Sequence, residues 1–218
     1  MKKPVKKMLQ QIEIEAAETS SMTGKPSFKD DVMAAMASVP REAFIPEHSK
    51  HLAYENIPLA IGHGQTISQP YIVALMTELL EIKPEHVILE IGTGSGYQSA
   101  VLSLLCRQVF TVERISELSV AAKKAFEKLH YDNIKTLSGN GYEGYEQQAP
   151  YDGIIVTAAA THIPEALVTQ LKPGGKLVIP VTRSAAHQEL LLIKKDHKGH
   201  SHEHSVLDVV FVPLINHG

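Results

Sequence analysis

His86-Val-Ile-Leu-Glu-Ile-Gly-Thr-Gly-Ser-Gly96 is the stretch whose reading decides the fold. An apolar run of strand character breaks into glycines at alternate positions, and an Ala/Leu-rich helical pattern follows from Tyr97 to Cys106. A second β-prone run, Val109-Phe-Thr-Val112, closes on Glu113. Strand, glycine turn, helix, strand and terminal acid, in that order, specify a unit that holds a nucleoside at its turn. Glycine lets the backbone bend tightly and lets a ligand lie against bare main chain. An acid at the tip of the second strand can accept hydrogen bonds from a ribose.

The spacing narrows the ligand. Dinucleotide sites read G-x-G-x-x-G and set a pyrophosphate on the helix N-terminus. Here the pattern is G-x-G-x-G, and Glu90 stands two residues before the first glycine. A carboxylate there suits a cation better than a pyrophosphate. S-adenosylmethionine is such a ligand, with a sulfonium, an ammonium and a ribose but no phosphate. The plain alternative is a glycine-rich turn with no ligand, and the spacing disfavours a dehydrogenase.

Length and composition bound the rest. A chain of 218 residues suits one α/β domain with a small appendage. A net charge of −3 without any Lys/Arg block gives no footprint for nucleic acid. No apolar run reaches membrane-spanning length, and Met1-Lys-Lys-Pro-Val-Lys-Lys7 is basic without an apolar region behind it. No membrane partner is therefore expected; the chain is separately expected to be a monomer. The single cysteine, Cys106, cannot close an internal disulfide, which fits a cytoplasmic protein. Its leucine-rich surroundings make it a buried small hydrophobe rather than a reactive thiol.

Outward from the glycine turn the chain divides into a helical appendage (1–60), an α/β core (61–180) and a C-terminal β-hairpin (181–218). Met8 to Glu18 is a helix, and Ser27 with Asp30 resembles a capping box for the next one, through Val32, Met33 and Met36. Ile61 to Gln69 reads as a loop, with Pro70 at the first position of a helix whose apolar face includes Tyr71, Leu75 and Leu79. Thr66 and Ser68 thus stand beside a helix N-terminus, where a carboxylate is favoured; an N-terminal capping loop is the alternative. Ser116 opens another helix, Ile134 to Leu137 is a short strand running into Asn140, and Gly153 to Thr157 is a buried parallel strand. Strand Lys176 to Pro180 follows Lys172-Pro-Gly-Gly175. Such alternation specifies a doubly wound, mostly parallel Rossmann-like sheet, which binds ligands at the carboxyl ends of its strands. Glu90, Glu113, Asn140 and Thr157 all fall at that edge. Glu189 to Lys194 and Val206 to Val212 pair as an antiparallel hairpin. Its tip carries His197, His200, His202 and His204, which invite a metal hypothesis, but a hydrated turn without fixed ligand geometry is favoured.

These residues together resemble the protein-L-isoaspartate (D-aspartate) O-methyltransferases, a family of protein-repair enzymes. The resemblance runs through Val39-Pro-Arg-Glu-Ala-Phe44, His51-Leu-Ala-Tyr54 and Ile61-Gly-His-Gly-Gln-Thr-Ile-Ser-Gln-Pro-Tyr71. It continues in Leu89-Glu-Ile-Gly-Thr-Gly-Ser-Gly-Tyr-Gln98, Val112-Glu-Arg114, Ile154-Ile-Val-Thr-Ala-Ala-Ala160, Leu171-Lys-Pro-Gly-Gly175 and Phe211-Val-Pro-Leu214. The segment from Gly62 to Tyr71 is specific to the family and looks like its bacterial branch, whereas the glycine turn alone marks only methyltransferases at large. The resemblance implies a class I methyltransferase fold, S-adenosylmethionine as donor with S-adenosylhomocysteine as product, no metal, and damaged proteins carrying isoaspartyl or D-aspartyl residues as substrates. Carried over, Ser68 is the active-site serine of the Thr66-Ile67-Ser68 motif, whose three residues also count among those that bind the donor. Glu90, Gly92, Thr93, Gly94 and Gly96 take the methionine end of the donor, Glu113 the ribose, and Asn140 with Gly141 the adenine. The family usually has Asp where this chain has Asn140, so somewhat weaker donor binding is expected. Asn140-Gly141 is also a deamidation-prone dipeptide, whose hydrolysis would give Asp or isoaspartate. The rival readings are a methyltransferase for another carboxylate, small molecule or RNA, and a non-catalytic S-adenosylmethionine-binding protein.

Overall fold

The computed structural model describes residues 2–184 and 186–215. Helix α1 (Lys3–Glu18), the single turn α2 (Ser20–Thr23) and α3 (Asp30–Ser38) precede two 3-10 turns at Arg41–Phe44 and Glu47–Leu52. Strands β1 (Leu59–Gly62) and β2 (Gln65–Ile67) then lead into α4 (Pro70–Leu80). The core follows as β3 (Val87–Ile91), α5 (Tyr97–Ser103), β4 (Gln108–Glu113), α6 (Ser116–Leu129), β5 (Ile134–Ser138) and β6 (Tyr151–Val156). It closes with α7 (Glu165–Thr169), β7 (Leu171–Ser184), β8 (His187–Lys195) and β9 (Ser201–Val209).

Among the described residues seven strands form one sheet in the order β5-β4-β3-β6-β7-β8-β9. β3 pairs in parallel with β4 and β6, β4 with β5, and β6 with β7. β8 and β9 add antiparallel strands at one edge. Strand order reverses at β3, where consecutive crossovers lead first one way and then the other. That reversal opens a crevice at the carboxyl ends, as the doubly wound reading requires.

Side chains alternate across a strand, and that period decides what each face of β3 meets. Leu89 and Ile91 join one apolar layer with Ile154, Val156 and Leu167. Ile88 points the opposite way, into a layer shared with α4, α5 and α6. Glu90 shares the parity of Ile88, so its carboxyl enters this second layer rather than the crevice. Helix α4 crosses the same layer and is buried at every residue except Ile72. It is therefore a core helix rather than an amphipathic surface one. Its Glu78 carboxylate receives Lys25 Nζ at 3.1 Å and the Lys29 amide at 2.9 Å, which ties the N-terminal segment to the core.

Several sequence expectations shift. Ile61 to Gln69 is not an open loop: β1 and β2 pair through Ala60 and Thr66 around a turn at Gly62, His63 and Gly64, each with positive φ. The polar residues that suggested a loop sit on a two-stranded ribbon with little to bury. Ser27 caps nothing, because α3 starts from Lys29, which has no side-chain cap. β7 spans Leu171–Ser184, so Lys172-Pro-Gly-Gly175 lies within the strand as an irregularity instead of before it. β9 ends at Val209, so the expected strand at Val206 to Val212 is displaced toward the N-terminus. The segment after it turns back over the crevice, where the Ala159 amide donates to Val212 O and the Leu214 amide to Ala159 O, both at 2.8 Å.

Candidate active site

A cleft of about 790 Å³ opens at the carboxyl ends of β3, β4 and β6. One wall is the β2–α4 connection, with Thr66, Ile67 and Ser68. The floor is the glycine turn with Gly92, Thr93 and Gly94. Glu113 and Gly141 stand at the far end. The structure thus brings together eight of the expected residues from four separate parts of the chain. Val212, Pro213 and Leu214 close the remaining wall, a contribution that sequence reasoning missed. Phe211-Val-Pro-Leu214 belonged to the resemblance, yet nothing in its composition says that it folds over the glycine turn.

The far end is built for hydroxyl groups. Glu113 ends β4 and is almost buried, and its Oε2 accepts from the Gly94 amide at 2.7 Å. Its Oε1 accepts from the amides of Arg114 and Ile115 at 2.9 and 2.8 Å. These bonds fix the carboxylate between the glycine turn and the end of β4. Oε1 is filled by its two amides, whereas Oε2 keeps acceptor capacity for a ligand hydroxyl. Gly92 and Gly141 are glycines of necessity: a Cβ would lie 2.5 Å from Thr157 Oγ1 at the first and 2.5 Å from Ile91 Cγ2 at the second.

Three expected residues do not line the cleft. Glu90 is fully buried on the opposite face of β3, and its carboxyl meets Ser99 Oγ of α5. The parity of the strand places it there. Gly96 starts α5 with φ +89°, and a Cβ there would lie 2.7 Å from the Phe126 ring, so its glycine serves helix packing. Asn140 lies between Gly139 and Gly141 but turns to its own loop. Its Nδ2 donates to Glu143 Oε1 at 3.0 Å, and its Oδ1 accepts from the Tyr142 amide at 3.1 Å. Both ends of the amide are thus engaged, which disfavours the deamidation that the dipeptide alone suggests.

Ser68 stands at a junction. It lines the cleft and also a second groove, bounded by Gln69, Tyr71, His187, Asp208 and Phe211, that lies between α4 and the β8–β9 hairpin. Arg41 holds that junction in place. It is completely buried, and its guanidinium donates to Ala53 O at 2.8 Å, Ser68 O at 3.0 Å and Ile57 O at 3.1 Å. Its carbon Cζ lies 5.2 Å from the Tyr97 ring centroid, a cation–π contact. Burial lowers its pKa to about 10, still far above neutrality. Gln69 adds a second tether, donating to Glu15 Oε2 at 2.9 Å. Arg41 was quoted within a motif, but sequence could not say that it buries itself under the serine loop.

At the hairpin tip Asp196 meets His200 Nδ1 at 3.3 Å and His202 Nε2 at 3.4 Å. Among the described residues no group of three or more metal-ligating side chains converges.

Comparison with known proteins agrees with this geometry. The family model described as Protein-L-isoaspartate(D-aspartate) O-methyltransferase matches residues 22–218. Protein-L-isoaspartate O-methyltransferase 2 of Polaromonas sp. is 51% identical over 207 residues, covering 95% of this chain and 98% of the relative. The relative of the same name in Nitrosococcus oceani is 50% identical over 209 residues, covering 96% and 95%. A solved protein-L-isoaspartate O-methyltransferase superposes with a TM-score of 0.85 at 28% identity, over 97% of this chain and 66% of that one. A Plasmodium falciparum counterpart in complex with S-adenosyl-L-homocysteine gives 0.78 at 28% identity, over 96% and 97%. With this fold, this cleft and these relatives, the chain belongs to the protein-L-isoaspartate (D-aspartate) O-methyltransferase family.

Proposed function

We propose that the protein moves a methyl group from S-adenosylmethionine to the free carboxylate of isoaspartyl and D-aspartyl residues in damaged proteins. The ester then collapses to a succinimide without further help, which is the repair step. The observation that carries the reading is the position of Ser68, where a nucleoside cleft and a peptide-sized groove meet.

The residues present fit the donor. Glu113 Oε2 offers an acceptor for a ribose hydroxyl, the backbone of Gly92 and Gly94 leaves room for a chain beside it, and Gly139 and Gly141 leave flat space for a base. When bound, the donor supplies an electrophilic methyl group on a sulfonium. A substrate carboxylate, with an ordinary pKa of about 4, is already ionised at neutral pH, so the site needs no general base. His63, in the β1–β2 turn, has nothing to deprotonate. What remains is alignment, which can lower a barrier by several kcal/mol. The Ser68 hydroxyl donates to one carboxylate oxygen and leaves the other facing the cleft, while Arg41 keeps the serine backbone in register. The wall formed by Val212, Pro213 and Leu214 limits water in the cleft, and this favours a reaction that joins opposite charges. The lone buried thiol suits a cytoplasmic setting, and no described helix is long and apolar enough to cross a membrane.

Tritiated methyl transfer to an isoaspartyl peptide, beside its normal aspartyl twin, tests the reading. Ser68→Ala should cut kcat/KM by about tenfold or more while S-adenosylhomocysteine still binds. Equal labelling of both peptides, or none, would overturn the function. Lost donor binding in Ser68→Ala would reverse the assignment of the serine.

A further inference from the structure

We propose that Glu90 is an uncharged positioning residue: its buried carboxylic acid braces the glycine turn through the hydroxyls of Ser99, Thr111 and Thr93, and it is not a counter-ion for the donor. The geometry argues this from several sides. Glu90 has no exposed surface and points away from the cleft, beside Ile88. One carboxyl oxygen, Oε2, meets Ser99 Oγ, and Thr111 stands beside Glu90 as its register partner on β4. The other oxygen, Oε1, has no hydrogen-bond partner among the described residues.

Among the described residues no cation compensates it. The elements packed around it offer Ser99 from α5, Thr111 from β4 and Ile155 from β6. The charge that reaches it is the carboxylate of Glu113, which has the same sign. A buried carboxylate with an orphaned oxygen and an acidic neighbour is unfavourable enough that the group keeps its proton instead. Burial, opposed only by the two hydroxyls, accordingly pushes the pKa up to about 8.

The hydroxyls give this neutral acid a route to the cleft. Thr111 is the register partner of Glu90 on β4, and its Oγ1 lies 2.7 Å from Thr93 Oγ1. Thr93 is a cleft residue, and Ser99 sits on the helix that the glycine turn opens. Glu90 therefore grips both ends of the turn without touching a ligand. The donor claim rests on the function proposed above; the protonation claim does not.

Two readouts test it. Infrared spectra at neutral pH should show a protonated-carboxyl C=O band in the wild type that disappears in Glu90→Gln. Calorimetry with S-adenosylhomocysteine should find Glu90→Gln within about threefold of wild type, because the amide preserves a neutral group of the same shape. Glu90→Ala should bind about tenfold more weakly or worse, because it severs the hydroxyl chain. A wild type without the band, or a folded Glu90→Gln as impaired as Glu90→Ala, would overturn the proposal. If Glu90→Ala does not fold, the band and Glu90→Gln still decide. If even the wild type fails to bind the product, the donor reading falls, and the band alone settles the charge of Glu90.

Discussion

Two glycines of one turn should respond to the same substitution in opposite ways. Gly96→Ala places a methyl 2.7 Å from the Phe126 ring and 3.2 Å from Ala122 Cβ, at a φ of +89°. The left-handed backbone costs a side chain about 1–2 kcal/mol, and overpacking against a buried ring adds about 1–3 kcal/mol. A total of about 2–5 kcal/mol should appear as a fall in Tm of about 4–20 °C for a chain of this size. Gly94→Ala carries the same backbone cost of about 1–2 kcal/mol, but its Cβ meets nothing nearer than Ile61 Cδ1 at 3.7 Å. It lines the cleft, so its methyl occupies ligand space, and S-adenosylhomocysteine affinity should drop by about tenfold or more. Urea unfolding and calorimetric titration of the two variants separate the effects. If Gly96→Ala proved as stable as wild type, or if Gly94→Ala were the less stable of the pair, the division between packing glycine and binding glycine would be wrong.

Other outcomes follow from buried groups. Arg41→Met strands three carbonyl oxygens at about 1 kcal/mol or more each, so urea unfolding should show a loss of about 3 kcal/mol or more. In the same variant kcat should fall further than donor affinity, since Ser68 loses its anchor. Glu90 has its carboxyl raised from 4.5 to about 8 by burial, so the folded state holds a proton that the unfolded chain releases. The associated stability is complete below about pH 4.5 and drains away as pH rises through about 8, at up to about 1.4 kcal/mol per unit. Glu90→Gln should flatten that slope, and parallel stability profiles for the two proteins would contradict it. Burial pushes the Cys106 thiol up to about 12. A maleimide should therefore leave it unlabelled in the native protein and modify it in urea; rapid native labelling would contradict the burial.

The fold was legible because its signals were local. Gly92, Gly94 and Gly96 lie between a strand and a helix, and the period of apolar residues separates α6 from β5 without any knowledge of the rest. What each glycine does was not legible, because Phe126, which excludes a side chain from Gly96, arrives thirty residues later by way of another helix. Glu90 was misread for a related reason. Its place before the turn suggested the cleft, but the parity of β3 sends it with Ile88 into the opposite layer. Asn140 was located in the correct loop, although the partners of its amide, Glu143 and Tyr142, depend on a turn geometry that composition does not encode. The closing wall at Val212 to Leu214 depends on a backbone exchange with Ala159, a contact across more than fifty residues that no periodicity could announce.

Thr66 and Ser68 line both the nucleoside cleft and the groove beside the hairpin, so nothing thicker than one short segment divides the two. A single synthetic molecule could straddle that partition, with an adenosine-like head on one side and an extended peptide tail on the other. Joined by a short linker, each half would meet its cavity at an effective concentration in the millimolar range, so avidity could exceed either fragment's affinity by about two to four orders of magnitude. The same thin divide that lets a methyl group cross thus marks the chain as a target for bisubstrate inhibitors.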